Sequence, residues 1–233
     1  MTRALLSISH GEYDQLLALS GPRFSIYASK FDYDLHLLKG LTPPEGRSEP
    51  WNKIAHLIQM LEVYDEVLLL DCDVIVMNYE PFPWDEIRAS GANHALVVHR
   101  MPLDGVVPNT GVLGVTKDAL PMLQEVWDWP LTHAGEFTTA AWWDQSAYMQ
   151  LTGYDARVRP CTDAGVAVAE WGQYPLPQEW NVLKDNDKLM KSAIIRHASG
   201  VGNTFPMKVA LMKKWLGQPF DTNALQGAGR IIN

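Results

Sequence analysis

Residues 66–76 constrain the fold of this chain more than any other segment. An apolar run leads there directly into two carboxylates, Asp71 and Asp73, which are separated by one residue. Continuous apolar runs of this length are typical of strands that are covered on both faces in an α/β sheet. Ligands of such sheets bind beyond the carboxyl ends of the strands. Because side chains two positions apart on a strand share a face, we expect both carboxylates at one ligand-binding edge.

Two neighbouring carboxylates favour a hard divalent cation at this edge. Oxygen ligands suit Mg²⁺ or Mn²⁺, particularly when phosphate oxygens of a substrate complete the coordination. The alternative for an isolated Asp-x-Asp is a solvated acidic turn after a buried strand. The rest of the sequence is needed to choose between the two interpretations.

The bulk properties are those of one large globular α/β domain. The length of 233 residues is enough for a substantial core, and the formal net charge of −8, without a basic run, argues against nucleic-acid binding. Only two cysteines are present, so we expect no disulfide framework and a reducing, cytoplasmic location. No apolar run approaches the roughly 18 residues that a transmembrane helix needs.

The hydrophobic pattern predicts a chain that alternates between strands and helices. Strands are expected at residues 3–9, 23–28, 33–38, 66–71, 74–77, 95–99, 111–116 and 193–197. Helices are expected at residues 12–20, 51–63, 84–89, 120–127, 142–151 and 207–216. The first three elements would form a βαβ opening, and residues 152–180 would be less regular.

Several further motifs follow in an ordered series along the chain. They are a helix with Lys53 before the Asp71–Asp73 strand, Asn109-Thr110-Gly111, Trp142-Trp143-Asp144-Gln145, Trp180-Asn181, and His197-Ala-Ser-Gly200. In this order and spacing, residues 3–205 resemble the nucleotide-sugar glycosyltransferases of the GT-A fold. The similarity is to the retaining glycogenin-like and α-galactosyl/α-mannosyltransferase families.

The resemblance implies a Rossmann-like GT-A fold, with a central mixed, mostly parallel sheet flanked by helices. It implies a single catalytic domain with a donor-binding lobe at about residues 1–116, an acceptor-binding lobe at 117–205 and a C-terminal helix at 206–217. The implied activity is metal-dependent transfer of a hexose, with retention, from a UDP- or GDP-sugar to the hydroxyl group of a glycan or other acceptor. The donor sugar and the acceptor are not encoded in any motif.

The resemblance also assigns the residues that bind metal and donor. It makes Asp71, Asp73 and His197 the ligands of Mn²⁺ or Mg²⁺. The donor-binding residues implied are Ser9, Tyr13, Lys53, Asp71, Asn109, Gly111 and Gly200. Within this set, Ser9 and Tyr13 would contact the nucleoside, Lys53 and the Gly200 amide the phosphates, and Asn109 a sugar hydroxyl.

Asp144 and Gln145 are the expected catalytic residues, because the resembled retaining enzymes place such a pair near the anomeric carbon. In those enzymes a lysine follows the His-x-x-Gly motif closely, whereas here the next lysine is Lys208. This departure leaves the cation that would stabilise the leaving group unassigned. Asn181 either contacts the acceptor or closes a turn.

Each candidate also has a purely structural interpretation. Ser9 could cap the next helix, Tyr13 could pack in the core, Lys53 could be a solvated helix lysine, and Asn109 could form a turn before a strand. His197 could be a structural histidine at the end of a strand. Asp144 could be a charge at a helix start.

Two other functions fit the Asp-x-Asp motif. In a haloacid-dehalogenase-type phosphatase, Asp71 would attack phosphorus and Asp73 would act as acid and base, but that motif normally lies near the start of the chain and requires a later acidic pair. The other alternative is a non-catalytic module that binds nucleotide sugars or glycans.

Overall fold

The computed structural model of the chain describes residues 1–42, 47–101, 105–132, 143–154, 171–184, 186, 188–199 and 204–217. The strands in these ranges are β1 Arg3–Ile8, β2 Asp34–Leu38, β3 Glu66–Leu70, β4 Val74–Val76, β5 His94–Met101, β6 Gly105–Thr116, β7 Gln173–Pro175, β8 Val182–Leu183 and β9 Ile195–His197. The α-helices are α1 Asp14–Phe31, α2 Asn52–Met60, α3 Trp84–Ala89, α4 Leu120–Thr132, α5 Trp143–Leu151 and α6 Phe205–Leu216.

Six of the strands form a central mixed sheet in the order β2-β1-β3-β6-β5-β7. Strand β1 runs parallel to β2 and β3, β6 is antiparallel to β3 and β5, and β7 is parallel to β5. The remaining three strands form a small sheet in the order β4-β9-β8. The predicted α/β architecture with a central mixed sheet is therefore confirmed.

Helices cover both faces of the central sheet, which explains why β1 and β3 carry the apolar runs Ala4–Leu6 and Val67–Leu70. Successive residues of β3 point to opposite sides: Leu68 packs in a cluster with α1 and α6, whereas Val67 and Leu69 pack in a cluster with α2, α4 and α5. Every residue of β3 is buried. A strand of this kind leaves no polar face, so its first exposed side chains come where it ends.

The predicted strand at residues 23–28 is wrong, because this segment lies in the second half of α1. The buried positions of α1 keep helical spacing across Pro22, which lies inside the helix: they include Leu16, Leu17, Ser20, Phe24, Tyr27 and Ala28. The helix ends at Asp32, which adopts the left-handed conformation with φ of 57°. Burial of one continuous apolar face against the sheet outweighs the helix-breaking tendency of Pro22. The βαβ opening therefore consists of β1, α1 and β2.

Two other segments differ from the sequence-based expectation. Asn109 does not precede a strand but lies within β6, where the pairing with β5 shifts from Leu96 opposite Leu113 to Val97 opposite Asn109. Such an irregularity redirects the side chains of the bulged strand. The Asp71–Asp73 segment forms a turn between the two sheets, with the Val74 amide bonded to the Asp71 carbonyl. The two carboxylates are therefore brought together by this turn rather than by a shared strand face.

The other predicted elements agree with the structure within three residues at their ends, except that β6 begins six residues earlier and α4 ends five residues later than predicted. No described helix has the length and apolar character required to cross a membrane.

Candidate active site

The turn after β3 and the end of β9 bring together three side chains of the kinds that ligate metals, and we call them the metal-ligating cluster. Strand β9 runs antiparallel to β4, and this pairing places His197 opposite Val74, directly after the turn. One ligand atom each of Asp71, Asp73 and His197 then lies within 4.8 Å of the others. Two carboxylates and an imidazole are a donor set that fits Mn²⁺ or Mg²⁺. The three predicted metal ligands are therefore adjacent in the structure.

Asp73 is almost fully buried, with 5% of its surface exposed. Its two carboxylate oxygens face different partners: Oδ1 lies 3.1 Å from His197 Nε2, and Oδ2 accepts a 2.6 Å hydrogen bond from Lys208 Nζ. Burial alone would raise the pKa of Asp73, but His197 and Lys208 outweigh it and hold this pKa well below its usual range. Asp73 is therefore a carboxylate, the form that binds a cation.

The His197 ring is held from the side opposite Asp73 by Asn181, which is held in turn by Asn109. His197 Nδ1 lies 3.0 Å from Asn181 Oδ1, and Asn181 Nδ2 donates a 2.9 Å hydrogen bond to Asn109 Oδ1. The Gly111 amide donates to the same Asn109 oxygen at 2.9 Å. A single chain of hydrogen bonds thus connects three parts of the structure, which are β6, the segment before β8, and β9.

Lys53 of α2 lies between two carboxylates at the edge of this cluster. Its Nζ is 3.3 Å from both Asp71 Oδ1 and Asp144 Oδ2. Burial disfavours the charge, but Asp144 and Asp71 outweigh it and raise the pKa of Lys53. Lys53 is therefore a charged, paired residue of the site and not a solvated helix lysine.

Asp144, at the start of α5, is also buried, with 2% of its surface exposed. It accepts a 3.2 Å hydrogen bond from Thr110 Oγ1, and the Thr110 amide donates to Gln145 Oε1 at 3.3 Å. Burial raises the pKa of Asp144, and the charge of Lys53 offsets this only in part. The predicted pair thus contacts β6 next to Asn109 and adjoins the metal-ligating cluster through Lys53.

The two predicted nucleoside contacts lie at the carboxyl end of β1. Ser9 is buried and donates to Asp14 Oδ1 at 2.6 Å, so its hydroxyl contacts the first residue of α1. Tyr13 is 37% exposed, and its ring centroid lies 5.7 Å from that of Phe205 and 5.3 Å from Lys208 Nζ. An exposed ring beside a cation is suited to contact a planar, anionic ligand.

Gly200, the predicted phosphate-binding glycine, and Trp142 lie outside the described residues. The roles of Ser9, Tyr13, Lys53, Asp71, Asn109 and Gly111 in donor binding, and of Asp144 and Gln145 in catalysis, remain predictions.

The sequence did not predict the contacts that three residues make in the site. These residues are Lys208, Thr110 and Asn181, which contacts His197. Lys208 lies in the first turn of α6, where its amide bonds to the Thr204 carbonyl. The available signal was a lysine at the start of the helix that follows the His-x-x-Gly motif. Asn181 and Thr110 gave no signal beyond their place in the motifs, because their partners are distant in the sequence.

Comparisons with known proteins identify the fold. No family model matches the sequence, and no curated protein matches it. A solved glycosyltransferase involved in the glycosylation of the major capsid of PBCV-1 is similar in structure, with a TM-score of 0.68 and 18% identity. The match covers 92% of this chain and 100% of that protein.

Two other glycosyltransferase structures are similar to this chain. The galactosyltransferase LgtC, solved in complex with donor and acceptor sugar analogs, matches with a TM-score of 0.54 and 13% identity over 92% of this chain and 94% of that protein. The apo form of GlyE from Streptococcus pneumoniae TIGR4 matches with a TM-score of 0.57 and 13% identity over 97% of this chain, which spans 63% of GlyE. The chain therefore has the fold of these glycosyltransferases, the GT-A fold that its motifs predicted.

Proposed function

We propose that this protein is a metal-dependent glycosyltransferase that moves a hexose from a UDP- or GDP-sugar to a hydroxyl acceptor with retention of configuration. The observation that carries the proposal is the cluster of Asp71, Asp73 and His197, with ligand atoms within 4.8 Å of one another. The cluster follows β3 of a sheet whose fold is that of known glycosyltransferases. Nucleotide-sugar binding at the carboxyl end of such a sheet is what this fold favours.

The three clustered residues would hold Mn²⁺ or Mg²⁺. When bound, the cation would neutralise the diphosphate leaving group as a Lewis acid. Lys208 is placed to add a second positive charge, because its Nζ lies 2.6 Å from Asp73 Oδ2 and 5.3 Å from the centroid of the exposed Tyr13 ring. We therefore assign to Lys208 the contact with the leaving group for which the sequence offered no lysine, and to Tyr13 and Ser9 the nucleoside.

The reacting sugar would lie between the metal-ligating cluster and the start of α5. Asp144 is held there by Lys53 and Thr110, and Gln145 is held by the Thr110 amide. An oxygen atom fixed at this point would stabilise the positive charge that develops on the sugar in the transition state. Asn109 would contact a sugar hydroxyl through its Nδ2 group.

The arrangement of lobes follows from these roles. Residues 1–116 would bind the donor and residues 117–205 would form most of the acceptor site. The C-terminal helix at 206–217 would complete the donor site through Lys208. The galactosyltransferase LgtC was solved with donor and acceptor sugar analogs, which supports a sugar as donor and as acceptor here. The cytoplasmic location stays an expectation from the sequence.

The phosphatase alternative receives no support from the structure. Asp71, the nucleophile in that mechanism, follows β3 of a sheet that matches glycosyltransferases, and its Oδ1 lies 3.3 Å from Lys53. A test on simple phosphomonoesters separates the two functions, since only the phosphatase would hydrolyse them.

The proposal is tested by thermal shift with a panel of UDP- and GDP-sugars, each with Mn²⁺ and with EDTA. A true donor should raise the melting temperature with Mn²⁺, because ligand stabilisation follows from affinity. The substitution Asp73→Asn keeps the shape but removes the charge, and should abolish this shift. The matched control is Asp118→Asn, which removes the charge of an exposed carboxylate in the turn before α4.

Two outcomes would contradict the proposal. An equal shift in EDTA would indicate a transferase that works without metal. The absence of a shift with every nucleotide sugar would exclude the donor class.

A further inference from the structure

We infer that Asn109 and Asn181 fix the tautomer of His197, so that Nδ1 carries the hydrogen and Nε2 presents its lone pair to the metal-ligating cluster. The inference rests on the proposed metal site and makes both asparagines positioning residues. It follows from three hydrogen bonds, in which the direction of the first determines the direction of the other two.

The first step is the orientation of the Asn109 amide. The Gly111 backbone N–H donates to Asn109 Oδ1 at 2.9 Å. A backbone N–H can only donate, so the atom that faces it must be the carbonyl oxygen. This settles which end of the Asn109 amide is the oxygen, an assignment that shape alone does not give for an asparagine.

The second step is the orientation of the Asn181 amide. The same Asn109 oxygen lies 2.9 Å from Asn181, so the atom of Asn181 that faces it must be the donor, Nδ2. Asn181 Oδ1 then faces His197 Nδ1 at 3.0 Å. Asn181 is 0% exposed, and reversing its amide would place its oxygen against the Asn109 oxygen, with no hydrogen between them.

The third step is the tautomer of His197. An amide oxygen accepts only, so Nδ1 must carry a hydrogen. In a neutral imidazole the other nitrogen then has its lone pair free to ligate. That nitrogen, Nε2, lies on the side of the ring that faces the cluster, 3.1 Å from Asp73 Oδ1. Without a cation the carboxylate accepts a hydrogen from Nε2, and a bound cation would take the place of this hydrogen while Nδ1 keeps its own. The tautomer imposed by the backbone of β6 is therefore the one that a metal needs.

Gly111 also provides the space for the His197 ring. A Cβ atom at this position would lie 2.4 Å from Cε1 and 2.9 Å from Nδ1 of His197. Any other residue at this position would require the His197 ring or the backbone of β6 to shift. Gly111, predicted from the sequence to bind the donor, thus has a second role, because it begins the hydrogen-bond chain and admits the ring.

The arrangement gives the two ends of the Asn109 amide different roles. Its oxygen accepts both hydrogen bonds of the chain, so Nδ2 is the end that remains for a hydroxyl of the donor sugar. Replacement by aspartate keeps an oxygen acceptor and removes the donor, whereas replacement by leucine removes both.

The test is the affinity of the metal-free protein for Mn²⁺ alone, measured by calorimetry without nucleotide sugar. Asn181→Leu should weaken Mn²⁺ binding roughly 10- to 100-fold, as loss of a contact that orients a ligand does. Asn109→Leu should weaken it less, because Asn181 still reaches His197 but can reverse its amide. Asn109→Asp should keep wild-type affinity or exceed it.

The matched control is Asn93→Leu. Asn93 Oδ1 lies 2.7 Å from Nδ1 of the buried His94, away from the cluster. This variant loses an amide–imidazole contact of the same kind and should be less stable, with unchanged Mn²⁺ affinity.

A second measurement requires no variant and reads the tautomer directly. The ¹⁵N resonances of the histidine rings in the Mg²⁺-saturated protein should show hydrogen on Nδ1 of His197. Hydrogen on Nε2 would overturn the inference even if Asn181→Leu fails to fold.

The outcomes separate this inference from the proposed function. If Asn181→Leu binds Mn²⁺ as tightly as the wild type does, the role of the asparagines is overturned and the proposed function is not. If Mn²⁺ binding depends on Asn181 but the protein binds no nucleotide sugar, the proposed function is overturned and the role of the asparagines is not. Failure of the wild type to bind Mn²⁺ or Mg²⁺ overturns both.

Discussion

The ammonium group of Lys208 lies 2.6 Å from Oδ2 of Asp73, although the two residues are 135 positions apart in the sequence. Without a divalent cation, this contact neutralises a buried carboxylate, and a metal that binds Asp73 must compete with it. Lys208→Met keeps the aliphatic part of the side chain and removes the charge. Because a hydrogen bond between charged groups is worth about 1.5–3 kcal/mol, we expect Lys208→Met to bind Mn²⁺ alone roughly 10- to 100-fold more tightly.

The same variant should bind the nucleotide-sugar donor in the presence of Mn²⁺ roughly tenfold more weakly, since the lysine would pair with the diphosphate. Calorimetry with Mn²⁺ alone and then with donor measures both effects. Lys213→Met is the control, because this lysine is exposed in the last turn of α6. A fall in affinity for Mn²⁺ alone would show that Lys208 does not compete with the metal.

Two glycines of β6 allow a matched test of the His197 position. A Cβ atom at Gly111 would lie 2.4 Å from His197 Cε1, and one at Gly114 would lie 2.4 Å from Phe82 Cε1. Both alanine variants should lose stability, by about 1–3 kcal/mol as overpacked cores do. Only Gly111→Ala should also weaken Mn²⁺ binding, by roughly tenfold or more.

Chemical denaturation and Mn²⁺ calorimetry of the two variants check this prediction. Equal Mn²⁺ affinities in Gly111→Ala and Gly114→Ala would mean that the position of the His197 ring does not determine metal binding.

The predicted site residues that the structure brings together are those with a local signal in the sequence. Asp71 and Asp73 follow an apolar strand, and the end of such a strand in an α/β sheet determines where ligands bind. His197 also ends a strand, and the pairing of β9 with β4 brings it to Asp73. The motifs therefore predicted the three clustered residues, although the turn that joins the carboxylates was predicted as strand.

The contacts that the sequence did not predict depend on tertiary structure. Residues 23–28 have the β-prone pattern of a short strand after Gly21-Pro22, yet α1 continues through them because one helical face packs against the sheet. The partners of Lys208 and Asn181 are set by how α6 and the segment before β8 pack. Nothing within a few residues of either position specifies Asp73 or His197.

Stability should fall in mild acid because of two buried histidines. Burial lowers the pKa of His94 to about 3 and is the main cause that lowers the pKa of His99 to about 4. The unfolded chain binds protons on these rings below pH 6.5, so the free energy of unfolding decreases as the pH falls. At pH 5.0 each ring should lower the free energy of unfolding by about 2 kcal/mol relative to its value at neutral pH.

Urea denaturation at pH 7.5 and 5.0 measures this loss, and His94→Gln should reduce the difference between the two values by about 2 kcal/mol. Tyr148→Phe is the control, because it removes the hydroxyl group that contacts His94 Nε2 at 2.7 Å and leaves the ring in place. It should destabilise the protein by a similar amount at both pH values. A pH difference that is unchanged in His94→Gln would refute the assignment to this ring.

The last prediction concerns Asp144 and Gln145, which contact Thr110 from the start of α5. If they line the reacting sugar, Asp144→Asn and Gln145→Ala should lower kcat by roughly tenfold or more while the donor Kd stays nearly unchanged. The physical reason is that an oxygen atom beside the anomeric carbon gains interaction energy only as positive charge develops there. Lys53 keeps Asp71 as a partner in Asp144→Asn, so the fold should survive.

Steady-state kinetics and donor calorimetry separate this role from a structural one. Gln150→Ala is the control on the same helix, since Gln150 Oε1 accepts a 2.6 Å hydrogen bond from Trp129 Nε1; it should lower stability and leave turnover intact. A charge at a helix start would contribute about 0.3–1 kcal/mol of stability and no turnover. Near-wild-type kcat in both variants, with a lower melting temperature, would assign Asp144 and Gln145 to the packing of α5 against β6 alone.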